Sequence, residues 1–183
     1  MLLDDVVPHP EHVTRQARWI AAGPTAVWDA LHAVRLSRLP VTAALSAVRF
    51  LPVVLCGSGL RQLHDRPFLD ALPVPLLDAD PPSAVVFGGL LQAWRLTGGE
   101  PPPVLDAAGL RDWTDPGWVK AAVDFRLTAV DGGTELSSET RVAATDEASR
   151  RAFTRYWRFV RPGSSAVRWE VLTAVELRAT GRA

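Results

Sequence analysis

The strongest constraint on the fold is a period-two pattern late in the chain. Val119, Ala121, Val123, Phe125, Leu127 and Ala129 alternate with Lys120, Ala122, Asp124, Arg126 and Thr128. A strand with one apolar and one mainly polar side reads this way, because successive side chains point to opposite faces. Asp131-Gly132-Gly133 then supplies residues suited to a tight hairpin turn. The partner strand runs from Thr134 to Ala144. Glu135, Ser137, Glu139 and Arg141 share one of its faces; Leu136, Ser138, Thr140 and Val142 share the other. An antiparallel sheet with one apolar face needs a cover.

The rest of the chain supplies cover and further strands. Residues Glu11 to Ala22 read as a first strand, closed by Gly23-Pro24, and Pro24 suits the first turn of a helix running to Ala33. A second helical stretch, Val41 to Leu55, meets a stop at Cys56-Gly57-Ser58-Gly59. Prolines 67, 73 and 75 confine strands there to short pieces or edges. Val74 to Ala79 reads as a short strand and Asp80-Pro81-Pro82-Ser83 as a turn. Ala84 to Leu96 is a long apolar strand whose Gly88-Gly89 suggests a bulge or bend. Thr97 to Pro116, with Gly98-Gly99 and Pro101 to Pro103, reads as a long gating connection with a short strand near Val104-Leu105. Thr145 or Asp146 caps a helix through Val160. Arg161-Pro162-Gly163-Ser164 is expected to break it before a last helix, Ser164 to Thr180, with Val167, Val171, Leu172, Ala174 and Val175 as its apolar stripe.

Composition bounds the function class. The chain has 183 residues, 20 Lys+Arg against 20 Asp+Glu, and 48% apolar residues. This length fits one globular domain, with residues 1–10 as a loose N-terminal segment. Zero net charge argues against a protein that coats nucleic acid. Cys56 alone cannot form an internal disulfide. Neither a basic leader nor a bilayer-length apolar stretch is present in this sequence, so a cytoplasmic protein without a transmembrane segment is expected.

The order of strand, two helices, antiparallel strands and a long C-terminal helix resembles the START-like helix-grip superfamily, which includes polyketide cyclases and lipid-transfer proteins. The resemblance, closest to bacterial members, rests on Ala22-Gly-Pro-Thr-Ala-Val-Trp-Asp-Ala-Leu31 and on Gly88 to Trp94. It continues through Asp115-Pro-Gly-Trp-Val-Lys120, Ser138-Glu-Thr-Arg-Val142, Arg150-Arg-Ala-Phe-Thr-Arg-Tyr-Trp157 and Arg161-Pro-Gly-Ser164. It implies an α+β helix-grip fold: a curved antiparallel sheet wrapped around the final helix, with an apolar cavity between them. The ligand it implies is a small hydrophobic, lipid- or polyketide-like molecule.

Candidate site residues follow from faces and chemistry. Phe87, Trp94 and Phe125 are candidate cavity walls. Ser138, Thr140 and Arg141 are the polar candidates, Arg141 only if a bulge turns it inward to meet an anionic group. Otherwise Glu139 and Arg141 form a charge ladder with Asp124 or Arg126 across the hairpin. On the first strand, Arg15 or Arg18 approaches the ligand. Trp28, Trp157 and Trp169 belong to packed helix faces. His9 and His12 lack the partners of a metal site, His32 and His64 stand alone, and no cofactor is expected.

Three functions remain open. The first is a binder or carrier of a hydrophobic molecule. The second is a polyketide cyclase-type enzyme using Arg141, Ser138 or Thr140, although no catalytic set is recognisable. The third is an interaction domain acting through Arg151, Arg155 and Arg158. These belong to a C-terminal region in which eight arginines face four acids from Asp146 onward. No nucleic-acid partner is expected, and oligomeric state is left open.

Overall fold

The computed structural model describes residues 3–45, 66–95 and 101–182. The elements in chain order are α1 (Leu3–Val6), β1 (His12–Ile20), α2 (Pro24–Ala33), β2 (Leu76–Asp80) and β3 (Ala84–Leu91). They continue with α3 (Ala107–Asp112), β4 (Val119–Val130), β5 (Gly133–Ala144) and α4 (Glu147–Ala179). The strands form one five-stranded antiparallel sheet in the order β1-β5-β4-β3-β2. With its long C-terminal helix, this is the α+β, helix-grip class expected. The expected helix from Val41 is seen in residues 40–45. Its remainder, with Cys56, Gly57-Ser58-Gly59 and His64, lies outside the described residues, as does Gly98-Gly99.

The chain divides into two compact units. One comprises Met1–Gln16, Val74–Arg126 and Ser137–Arg161; the other comprises Ala17–Pro73, Leu127–Leu136 and Pro162–Ala183.

In the first unit the sheet is covered on both faces. On one, Phe153 from α4 packs with Ala93, Val119, Ala121 and Val142, joined by Trp94, Tyr156 and Trp157. On the other, Leu3, Val6 and Val7 pack with Val86, Leu90, Leu110, Trp118 and Ala122. Within the segment expected to be loose, residues 1–10, Leu3, Val6 and Val7 are packed, whereas Pro8 and His9 are exposed. Val6 and Val7 are fully buried, and burying such a side chain contributes roughly 1.5–3 kcal/mol. The unbroken apolar run Ala84–Leu91 carries the matching signal, because a strand buried on both sides loses its alternation.

Two further local expectations change. The register of β3 against β4 runs unbroken from Ala84↔Arg126 to Leu91↔Val119, so Gly88-Gly89 is not a bulge. The irregularity lies in β2, between Leu76 and Asp78. The glycines instead permit close approach. A Cβ at Gly88 would stand 2.7 Å from Leu77 Cδ1, and one at Gly89 would stand 3.2 Å from Pro75 Cδ. No strand forms at Val104-Leu105. Asp106 instead caps α3, its carboxylate accepting from Gly109 N at 2.7 Å. The only lysine, Lys120, donates to the Arg111 carbonyl at the helix's other end (2.5 Å).

The C-terminal helix is continuous through Pro162. A proline there removes the donor to the Arg158 carbonyl, usually enough to break a helix. Here Arg158 and Pro162 are both exposed, on a side where water can replace the lost bond. The boundary between the two units falls at this point, between Arg161 and Pro162.

In the second unit, α2 buries Val27, Ala30 and Leu31, and α4 buries Val171, Leu172 and Val175. Glu170 caps the helix at 40–45, accepting from Val41 N (2.7 Å), Thr42 N (2.8 Å) and Thr42 Oγ1 (2.7 Å). Glu176 pairs with Arg18. The Arg18 guanidinium also lies 5.9 Å from the Trp169 ring centroid, and Trp169 itself is 60% exposed. Trp169 thus belongs to a surface stack rather than to the packed face expected of it.

Candidate functional site: the helix-facing side of the sheet

Strand geometry sorts the candidates by face. Val85 pairs with Phe125, and Phe87 with Val123; directly paired residues project to one side of a sheet. That side continues to Ala121 and Val119, which pack against Phe153 of α4. Phe87 (6% exposed) and Phe125 (2%) therefore stand on the helix-facing side. On β5, Val142 belongs to the same cluster, so alternation places Ser138 and Thr140 there too. Trp94 lies beyond the end of β3 and packs into that cluster.

Arg141 takes the other face. It donates through Nε to Glu139 Oε1 (2.6 Å) and through Nη1 to Asp4 Oδ1. Beside it, Arg126 Nε donates to Asp124 Oδ2 (2.8 Å), and Glu139 N donates to Asp124 Oδ1 (3.0 Å). With Arg15 and Ser137 these groups line a recess of about 280 Å³. Arg141 is not turned inward, so the trio Arg141, Ser138 and Thr140 is split between two sides of the sheet. The predicted charge ladder exists, but it is half-buried by α1 rather than open to solvent. Burial pushes the Asp124 carboxyl above its ordinary value, although Arg126 and the Glu139 amide pull it down.

On β1 the even-numbered residues face the helix. His12 lies 5.3 Å from Phe153 and 6.1 Å from Trp157, ring centre to ring centre, with Nε2 3.3 Å from Thr154 Oγ1. Burial lowers the pKa of its imidazole, and the charge of Glu11 opposes that shift. Among the described residues no group of three His, Cys, Asp or Glu side chains is placed to hold a metal. Of the two candidate arginines on this strand, Arg18 is held by Glu176 and Arg15 lies in the recess on the far face.

Between His12 and Arg18 come two residues that sequence reasoning passed over. The Thr14 Oγ1 and Gln16 Oε1 atoms are buried and have no hydrogen-bond partner among the described residues, and neither does Ser138 Oγ. Ser138 is only 1% exposed. All three project to the helix-facing side of the adjacent strands β1 and β5. Leaving a buried polar group unmatched costs about 1–3 kcal/mol, so three together on an otherwise apolar face are unusual. Thr14, Gln16 and Ile20 occupy even-numbered positions of β1 and so share a face. Only the three-dimensional structure shows their oxygens unmatched.

No family model matches the chain, and no curated protein matches it. Solved structures do. The protein MLL2253 from Mesorhizobium loti is 14% identical over 90% of this chain and 97% of that chain, with a TM-score of 0.42. The protein TTHA0849 from Thermus thermophilus is 11% identical over 93% and 98%, at a TM-score of 0.36. The Zhui aromatase/cyclase from Streptomyces sp. R1128 is 15% identical over 91% and 94%, at 0.33. Among the described residues, no helix is long and apolar enough to cross a membrane.

Proposed function

We propose that the chain binds a small hydrophobic molecule carrying at least one hydrogen-bonding group, on the helix-facing side of the sheet. The observation that carries this reading is the set of unmatched buried oxygens, Thr14 Oγ1, Gln16 Oε1 and Ser138 Oγ, on a face shared with Phe87 and Phe125. Small-molecule sites have this composition: mostly apolar walls with a few polar atoms that fix orientation. The helix-grip arrangement and the START-like resemblance support the same reading. Phe87 and Phe125 form the wall, and Ser138 and Thr140 the polar edge. Arg141 belongs to a separate charged recess, which weakens the cyclase-type alternative that relied on it.

Native mass spectrometry before and after organic extraction tests the proposal, with titration of the neutral fluorescent probe N-phenyl-1-naphthylamine. A bound lipophilic species, or saturable probe binding, is expected. Ser138→Ala and Gln16→Leu should each change the affinity of an extracted polar-headed ligand by roughly fivefold, the worth of one hydrogen bond. Arg141→Gln should leave it unchanged. The absence of both a co-purifying species and saturable probe binding would overturn the reading.

A further inference from the structure

The first half of α4 carries an exposed aromatic residue among unmatched cations. Phe159 is 86% exposed. Between Ala148 and Trp169 the sequence has no acidic residue. Arg150 and Arg151 are neutralised by Glu11 and Glu147. Arg155, Arg158 and Arg161 are exposed and have no acidic partner among the described residues. At 3.6 residues per turn, Arg151, Arg155, Arg158 and Phe159 fall within a sector of roughly 100°. Arg158 and Arg161 also line a groove of about 500 Å³ with His12 and Trp157. The acid of that groove, Glu11, is engaged by Arg150 at 2.7 Å.

We infer that this half of α4 docks on an anionic membrane surface. A phospholipid phosphate meets Arg158 and Arg161 at the groove, Arg155 adds attraction to neighbouring headgroups, and Phe159 enters the boundary between headgroups and acyl chains. Cations beside an outward-facing aromatic residue are the composition of interfacial helices. A nucleic-acid partner would match the arginines but leave Phe159 without a role, so the lipid surface is the better fit. This inference does not depend on the cargo-binding reading, since Arg155, Arg158, Arg161 and Phe159 are not among the residues assigned to that site.

Flotation of the full chain with vesicles of phosphatidylcholine, alone or mixed with phosphatidylglycerol, tests it. Binding is expected only to the mixed vesicles and should weaken with salt. Replacing Arg155, Arg158 and Arg161 by Gln should lower affinity roughly fivefold per arginine, and Phe159→Ser on the order of tenfold. All four side chains are exposed, so melting temperature and circular dichroism should match the parent protein. Failure to float with mixed vesicles would overturn the inference, as would equal binding to neutral ones or unchanged binding by both variants. Release by millimolar inorganic phosphate at constant ionic strength would reassign the groove to a free anion. Tighter binding to a duplex oligonucleotide than to vesicles would reassign the surface to nucleic acid.

Discussion

Asp146 and Gly117 join the start of the C-terminal helix to the loop leading into β4: Gly117 N donates to Asp146 Oδ2 at 2.6 Å. Gly117 has φ +95°, a conformation that other residues rarely adopt. The same carboxylate accepts from Ala148 N, Ser149 N and Ser149 Oγ. These hydrogen bonds, Ser149 first, hold the Asp146 carboxyl far below its ordinary value.

Asp146→Ala should therefore destabilise the protein by about 1 kcal/mol or somewhat more at neutral pH, the usual cost of a lost helix cap. A carboxylate whose folded pKa is depressed contributes fully above its unfolded pKa of about 3.9. That contribution is lost as pH falls through the folded value. Denaturant unfolding should accordingly show the parent and Asp146→Ala converging as pH falls below about 4. A constant gap down to about pH 2 would show that the carboxylate charge is not what matters.

Asp124 behaves in the opposite sense. Its folded pKa is raised, chiefly by burial, so its ionised form is disfavoured by folding and its contribution declines as pH rises through the folded value. Asp124→Asn keeps an acceptor for Glu139 N and should change stability by less than about 1 kcal/mol at neutral pH. Asp124→Leu strands both that amide and Arg126, and should cost about 2 kcal/mol or more. Equal losses in the two variants would refute this account of the recess.

Two glycines should respond differently to alanine. A Cβ at Gly133 would collide with the Ile20 carbonyl oxygen, which is backbone and cannot rotate away. At Gly88 the closest atom is the movable end of Leu77. Gly133→Ala should cost about 3 kcal/mol and disturb the β1 edge, whereas Gly88→Ala should cost about 1 kcal/mol. Thermal melts of the two variants rank them directly.

Ser138→Ala should be neutral or slightly stabilising in the ligand-free protein, by up to about 1 kcal/mol, because it removes a buried hydroxyl with no partner. Together with lowered ligand affinity, that would mark Ser138 as kept for binding. A loss of stability comparable to that of Leu110→Ala, about 2–5 kcal/mol, would instead make it structural.

The legible parts were the local ones. The strand beginning at Val119, the turn at Asp131-Gly132 and the cap at Asp146 all follow from backbone geometry and side chains a few residues apart, and each is present. The strand expected to be half-buried nevertheless also buries Ala122 and Asp124 on its other side. The separation of Arg141 from Ser138 and Thr140 was equally available, since period two forbids neighbours on a strand from sharing a face. The helix over Ala107–Asp112 was missed beneath the surrounding glycines and prolines.

Sequence alone thus determined where β4 turns into β5, which residues of a strand share a face, and that antiparallel strands and C-terminal helical segments dominate the chain. It did not show that those segments form one helix through Pro162. Tertiary structure decided what covers each face. Leu3, Val6 and Leu110 are distant in sequence from Ala122, yet they bury the side that its polar neighbours Lys120, Asp124 and Arg126 would by themselves give to solvent. The matching of buried polar atoms is settled at the same level. Whether Thr14, Gln16 or Ser138 finds a partner depends on side chains brought near by packing, and local periodicity carries no record of them.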